Sequence, residues 1–273
     1  MTQLAFTRTG AGEPLLLIHA LGLSRHTWEP VLPALAEHFD VVAVDLPGFG
    51  ESAPIPDGVE PSPAALAAAV GALLDDVGID SPHVVGNSIG GWVALELALQ
   101  REVDSLTLLS PAGLWSEATP WYDRISLRAS RFLARYGRVV LVWLMQFRLA
   151  RLVVLGQTHG HPMRLTTDYA RKTVLALGTS TGFDAAMTAT THRRFRGGAH
   201  ITAPVTLAWG SRDILLLTRQ SRHVDQLPVH THVVDLPGCG HVAMPDAPDA
   251  VAELIVSAAT DAVRPSAAAR RSG

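Results

Sequence analysis

A serine, an aspartate and a histidine stand in this 273-residue chain where acyl chemistry could be done. The run Gly86-Asn87-Ser88-Ile89-Gly90 has the form G-x-S-x-G, set between an apolar strand-like run, His83–Val85, and a helix-periodic segment opening at Ile89. A serine on a sharp strand-to-helix turn is held in a strained backbone conformation, and the chain can pass only if the residues two positions away lack side chains. Gly86 and Gly90 meet that need. Unpaired N–H groups at a helix start favour negative charge, so Ser88 is the candidate nucleophile and the Ile89 N–H a candidate oxyanion donor. The competing reading is a glycine-rich nucleotide turn with an incidental serine, but the phosphate-loop lysine and the G-x-G-x-x-G pattern are both absent here.

A serine hydroxyl is a weak nucleophile near neutral pH, so it needs a base in reach and an acid to fix the tautomer of that base. His241 lies in Leu236-Pro237-Gly238-Cys239-Gly240-His241, a glycine-rich loop between the last expected strand and the last expected helix. Asp213 follows the preceding strand in Trp209-Gly210-Ser211-Arg212-Asp213, with Asp104 and Asp235 as alternatives. The His159/His161 and His230/His232 pairs have no carboxylate or cysteine at metal-ligand spacing, so packing or surface roles are expected and no metal. Cys239 is expected to be a small buried filler rather than a reactive thiol.

The elements that must position these groups are legible from periodicity. Short apolar runs at Leu15–Ile18, Val41–Val44, His83–Val85 and Leu106–Leu109 alternate with helical segments near Trp28–Glu37, Pro63–Val77 and Ile89–Gln100. Such runs fit a parallel sheet covered by helices on both faces. The rhythm breaks after Ser110-Pro111-Ala112-Gly113, where helices near Trp121–Tyr136, Val139–Val154 and Thr167–Leu177 are expected. It resumes with strands Val205–Trp209 and Thr231–Leu236, a helix near Thr218–Gln226 and a final helix Pro248–Val263. The expected organisation is an α/β core over residues 1–113, an inserted helical cap over 114–200, the rest of the core over 201–264 and a disordered tail over 265–273. The sheet should hold about seven or eight strands, mostly parallel.

Composition bounds the partners. The chain is 48% hydrophobic and 17% charged, with a formal net charge of −3, which offers no broad footprint for nucleic acid. No apolar run is long enough to span a bilayer. The apolar segment Val139–Phe147 is bracketed by Arg138, Arg148 and Arg151; it is expected to pack on the core or line a pocket, with interfacial membrane contact as the alternative. A single cysteine and an N-terminus without the layout of a secretory signal make a cytoplasmic location the default.

In their order and setting these motifs resemble the α/β-hydrolase superfamily, across essentially Leu4 to Val263, and Ser, Asp, His is that family's chain order. His19-Ala20-Leu21-Gly22 is similar to its His-Gly-x-Gly loop, with alanine in place of a glycine; the resemblance implies that the Leu21 N–H is the second oxyanion donor. Asp45-Leu46-Pro47-Gly48-Phe49-Gly50-Glu51-Ser52 is similar to the loop after the following strand, where Asp45 and Ser52 are read as structural. Haloalkane dehalogenases and epoxide hydrolases of this fold carry Asp where this chain has Ser88, which disfavours both activities. Asn87 and the cap are similar to hydrolases that cleave carbon–carbon bonds of ring-fission diketones, although Val242 replaces the Trp that often follows their histidine. The cap arginine of those enzymes has Arg193, Arg194 and Arg196 as candidates, and a solvated edge as the plainer reading. The resemblance implies a serine hydrolase without a cofactor; the apolar cap, with Trp115, Trp121, Trp143 and Phe147, points to a medium-sized or aromatic apolar ester, and Asn87, Trp115, Trp143 and Phe147 are the substrate-binding candidates. The competing functions are carbon–carbon hydrolysis, acyl transfer and a non-catalytic ligand receptor. The oligomeric state is left open.

Overall fold

Runs such as Leu15-Leu16-Leu17-Ile18 and Val41-Val42-Ala43-Val44 present apolar side chains to both sides of a strand, so each side needs a helical layer over it. The computed structural model, which describes residues 3–116 and 118–269, meets that demand with one seven-stranded sheet. Its strands are β1 (Phe6–Gly10), β2 (Glu13–Ile18), β3 (Phe39–Val44), β4 (His83–Asn87), β5 (Ser105–Leu109), β6 (Val205–Gly210) and β7 (His232–Leu236), in the spatial order β1-β3-β2-β4-β5-β6-β7. The pair β1 and β3 is antiparallel and every other pair is parallel. A single strand therefore precedes β2, which places the sheet at the lower of the two expected counts.

The helices are α1 (Leu32–Ala36), α2 (Pro63–Asp76), α3 (Ile89–Gln100), α4 (Trp121–Tyr136), α5 (Arg138–Leu144), α6 (Arg148–Leu155), α7 (Thr167–Thr179), α8 (Phe183–Thr190), α9 (Thr218–Ser221) and α10 (Pro248–Ala269). Alternate strand residues enter different cores, as a period of two requires. Leu16, Ile18, Val42 and Val44 are buried with Val70 of α2 and Val93 of α3, whereas Leu15, Leu17, Val41 and Ala43 are buried with Leu35 of α1 and Ile255 of α10. The chain leaves β2 for β3 on one side and then returns past it to β4 on the other. In open α/β sheets the crevice at such a reversal, beyond the carboxyl ends of the strands, is where ligands bind.

Between β5 and β6 lie α4 to α8. The stretch Val139–Val154, expected as one helix, is two, because Phe147 is extended at φ −95°, ψ 129°. The carbonyls left open at the break are satisfied by a buried arginine: Arg151 Nε donates to Met145 O at 2.6 Å and its Nη2 to Gln146 O at 3.2 Å and Thr167 Oγ1 at 2.6 Å. The apolar run Val139–Phe147 packs in part as expected: Met145 is buried with Leu155, Tyr169 and Val174, and Leu141, Val142 and Leu144 are half-buried against them, whereas Val139 is 80% exposed and no residue of the run lines the cavity. Three other segments also differ. Trp28–Glu37 forms only the short α1 after a 3₁₀ turn at Arg25–Trp28, Thr218–Gln226 is reduced to α9 and a 3₁₀ turn, and α8 had no counterpart in the periodicity. Helix α10 continues past Val263 to Ala269, and residues 270–273 of the expected tail lie outside the described residues. No described helix is long and apolar enough to cross a membrane.

Candidate active site

Ser88 sits between the end of β4 and the first turn of α3 with φ 58° and ψ −119°, a conformation that non-glycine residues rarely adopt. The glycines around it are there because the turn is tight. A Cβ on Gly86 would meet Gly90 O at 2.2 Å, and one on Gly90 would meet Ile18 O at 2.3 Å. The turn is pinned to the neighbouring strand end, since Ser88 N donates to Leu109 O at 3.0 Å and Ser88 O accepts from Ala112 N at 2.8 Å. Strain of this kind persists only where the surroundings over-determine it.

His241, in the loop after β7, is 2% exposed, and its Nδ1 lies 2.9 Å from Asp213 Oδ2. The other oxygen of Asp213 accepts from the N–H groups of Leu215 and Leu216, both at 3.0 Å. Burial pushes the Asp213 carboxyl up, but the charge and hydrogen bond of His241, the Leu216 N–H and the Ser110 hydroxyl outweigh it and hold the group below the ordinary aspartate range. A carboxylate so held accepts the Nδ1 proton and leaves Nε2 as the basic nitrogen. That Nε2 is buried without a hydrogen-bond partner, and His241 and Ser88 line the same cavity. No hydrogen bond joins Ser88 to His241; such bonds often tighten only around a substrate. Asp104 is exposed and accepts from Ser81 Oγ, and Asp235 is exposed on β7, so neither takes the place of Asp213.

Leu21 and Ile89 line the same cavity from separate strand ends. Among the described residues, neither the Leu21 nor the Ile89 N–H donates to another group of the chain. The loop after β2 is fixed by buried His19, whose Nε2 accepts from Leu46 N at 2.9 Å and whose Nδ1 lies 2.8 Å from Ala20 O. Gly22 has φ +77°, whereas Ala20 has no positive φ, so an alanine in place of the usual glycine carries no backbone strain. Asp45 and Ser52 serve structure: Asp45 accepts from the N–H groups of Arg25 and Glu51, and Ser52 Oγ donates to Asp45 O at 2.6 Å.

The cavity has a floor of core residues, including Ala20, Leu21, Ile89 and Val242, and a roof from the helical insertion, including Leu127, Leu155, Thr173 and Met187. Its lining is mostly apolar. Trp115 belongs to it, with Nε1 donating to Arg193 O at 2.6 Å. Trp143 and Phe147 do not: they are 56% and 47% exposed and pack edge-on against each other at 5.2 Å on the outer side of the insertion. Asn87 is also absent from the lining. It points under the site, where Nδ2 donates to Leu109 O and to His241 O, both at 2.9 Å, and so braces the histidine loop. Arg193 pairs with Glu60 at 2.7 Å and Arg194 donates to Ser116 O, so these arginines stand with Arg196 in a separate surface groove.

Two carboxylates at the site lay outside the sequence reading. Asp123 of α4 lines the cavity, is 1% exposed, and has no hydrogen-bond partner on either oxygen. Burial pushes its carboxyl up to about 7, with the His241 charge opposing and the Asp213 charge adding to the shift. Its signal in the sequence was isolation, as the only acidic residue between Trp121 and Arg164. Asp246 accepts from Gly160 N at 2.7 Å, His161 N at 2.8 Å and Gly240 N at 2.9 Å, tying the insertion to the loop beside His241. Nothing in its sequence setting marked that role. Cys239 is buried, and burial, with the Asp246 charge adding, pushes its thiol up to about 11, as befits a packing residue. No group of three or more metal-ligating side chains occurs among the described residues.

The α/β hydrolase fold family matches residues 13–248 of the chain. Epoxide hydrolase EphH of Mycobacterium tuberculosis is 30% identical over 72% of this chain and 94% of its own length. The dihydrolipoyllysine-residue acetyltransferase component of the acetoin cleaving system of Cupriavidus necator is 38% identical over 44% of this chain, and the match spans 32% of that protein. A thermophilic esterase from Thermogutta terrifontis superposes with a TM-score of 0.74 at 22% identity, covering 96% of this chain and 94% of the esterase, a likeness of fold. The match over most of the chain, on a sheet of this order with a glycine-framed serine turn, makes the protein a member of the α/β-hydrolase family.

Proposed function

We propose that the protein is a serine hydrolase that cleaves a carboxylic ester, or a similar acyl compound, of apolar character through an acyl-enzyme on Ser88. The observation that carries this reading is the buried, unpartnered Nε2 of His241, a residue whose Nδ1 meets Asp213 and which lines one cavity with Ser88. Ser88 Oγ attacks the acyl carbon while His241 Nε2 takes its proton, and the oxyanion accepts from the Leu21 and Ile89 N–H groups. The imidazolium then protonates the leaving alkoxide as the ester bond breaks. Water repeats the sequence with the same base and releases the acid. The route uses no metal or organic cofactor. The helices over the cavity act as a cap that excludes water, and the apolar lining selects an apolar acyl or alcohol group.

The competing readings fit less well. A ring-fission diketone carries an acidic group, and no Arg or Lys belongs to the cavity lining among the described residues. Epoxide opening on this fold uses a carboxylate nucleophile, and position 88 is a serine. The test is turnover of p-nitrophenyl esters of several chain lengths by wild type and Ser88→Ala. Wild type should hydrolyse at least one of them, and loss of a triad nucleophile should cost on the order of a millionfold in kcat. A serine-independent rate would remove the proposal.

A further inference from the structure

Helix α4 is turned the wrong way for a soluble helix. Its inner face buries Asp123 and Arg131, and its outer face carries Trp121, Ile125, Phe132 and Tyr136 at helical spacing, each more than 60% exposed. The pattern continues through the next two helices, where Val139 of α5 is 80% exposed and Val153 of α6 is 83% exposed. A contiguous apolar surface beyond a few hundred Å² on a soluble domain marks an interaction site.

The charges on this face say what covers it. Arg128, Arg135, Arg138, Arg148 and Arg164 are exposed along the same segment, and between Trp121 and Arg164 the sole acidic residue is the buried Asp123. A second copy docking on this face would bring its own arginines against these, and like charges across an interface oppose association. Apolar side chains interleaved with arginine are instead the surface that inserts shallowly among anionic headgroups. The buried arginines do not weaken the argument, because they are occupied within the fold: Arg131 Nη2 donates to Ser180 O at 2.6 Å and Arg151 closes the α5–α6 break.

We propose that the outer face of α4, α5 and α6 is a docking surface for an anionic lipid bilayer. The same helices carry cavity-lining residues on their inner sides, Asp123 and Leu127 on α4 and Val154 and Leu155 on α6. Docking therefore brings the roof of the cavity to the lipid, where an apolar substrate is concentrated. The proposal stands on exposure and charge alone and does not depend on the chemistry assigned to Ser88.

The test is sedimentation of the full chain with unilamellar vesicles of phosphatidylcholine alone or mixed with phosphatidylglycerol, at low and high salt. Wild type should partition onto the phosphatidylglycerol vesicles about tenfold or more better than onto phosphatidylcholine, with the preference falling as salt rises. The double variant Val139→Asp with Val153→Asp should lose about tenfold or more of that binding, with its far-ultraviolet circular dichroism and thermal midpoint unchanged. Equal binding to both vesicle types, or full binding by the double variant, would overturn the proposal. So would a stable dimer in sedimentation velocity that the same two substitutions dissociate, since a second copy would then own the face.

Discussion

Replacing Asp123 by asparagine should change how stability depends on pH, in a direction and by an amount that the site dictates. The folded carboxyl titrates near 7, against an ordinary value of 3.8, mainly because burial disfavours its charge. At about 1.4 kcal/mol per pKa unit that gap corresponds to roughly 4 kcal/mol if fully expressed. The effective dielectric around buried charges in proteins is well above that of a dry interior, which relieves part of the penalty, so about half is the expected effect. The sign follows from proton binding. Below about pH 4 the group is neutral in folded and unfolded chains alike; as pH rises toward 7 the unfolded chain ionises first, and stability falls. Above 7 the whole penalty is present. The titratable groups that act on Asp123 are His241 and Asp213. Urea unfolding of wild type and Asp123→Asn should show the variant's advantage growing by about 1 to 2 kcal/mol from pH 5 to pH 8. An advantage that does not change with pH would mean that Asp123 is not ionising in a desolvated place, and the electrostatic account of the roof would fail.

Asn87→Ala removes the amide that ties His241 O to Leu109 O at the end of β5; it should cost about 2 kcal/mol in chemical denaturation, and kcat on an ester should fall by about 10- to 100-fold as His241 loses its seat. An unchanged kcat would show that Asn87 is a core residue and nothing more. Asp246→Ala leaves the N–H groups of Gly160, His161 and Gly240 without their acceptor. It should lower stability by about 2 to 3 kcal/mol by the same denaturation assay, and an effect below about 0.5 kcal/mol would place the loop contacts elsewhere.

Legibility in the sequence followed the range over which each feature is determined. The serine turn could be read because its constraint is local: Gly86 and Gly90 are required by atoms within a few residues or on the adjoining strand. The strands were readable because two-sided burial leaves unbroken runs of Leu, Ile and Val. The insertion was harder, since α4 buries Asp123 and Arg131 and exposes its large apolar side chains, whereas α7 and α8 turn apolar faces inward. Trp143 and Phe147 have the residue types of a pocket wall, yet neither α5 nor the extended break after it contributes a residue to the cavity. Arg131 and Arg151 have the type of solvated residues, yet they close helix ends from inside. Asn87 was expected to bind substrate but faces below the cavity, because the side chain direction at a strand end depends on the neighbouring loops and not on the motif. Asp123 and Asp246 act across long separations in the chain, so no spacing could reveal them.

The most direct measurement of the central claim is the location of a covalent adduct. Wild type and Ser88→Ala should be incubated with a fluorophosphonate, followed by intact-mass determination and peptide mapping. A single adduct on the peptide containing Ser88 in wild type, absent from Ser88→Ala and slowed by about a thousandfold or more in His241→Ala, is the predicted result. An unlabelled wild-type protein, or an adduct that persists at another serine when Ser88 is gone, would contradict the account.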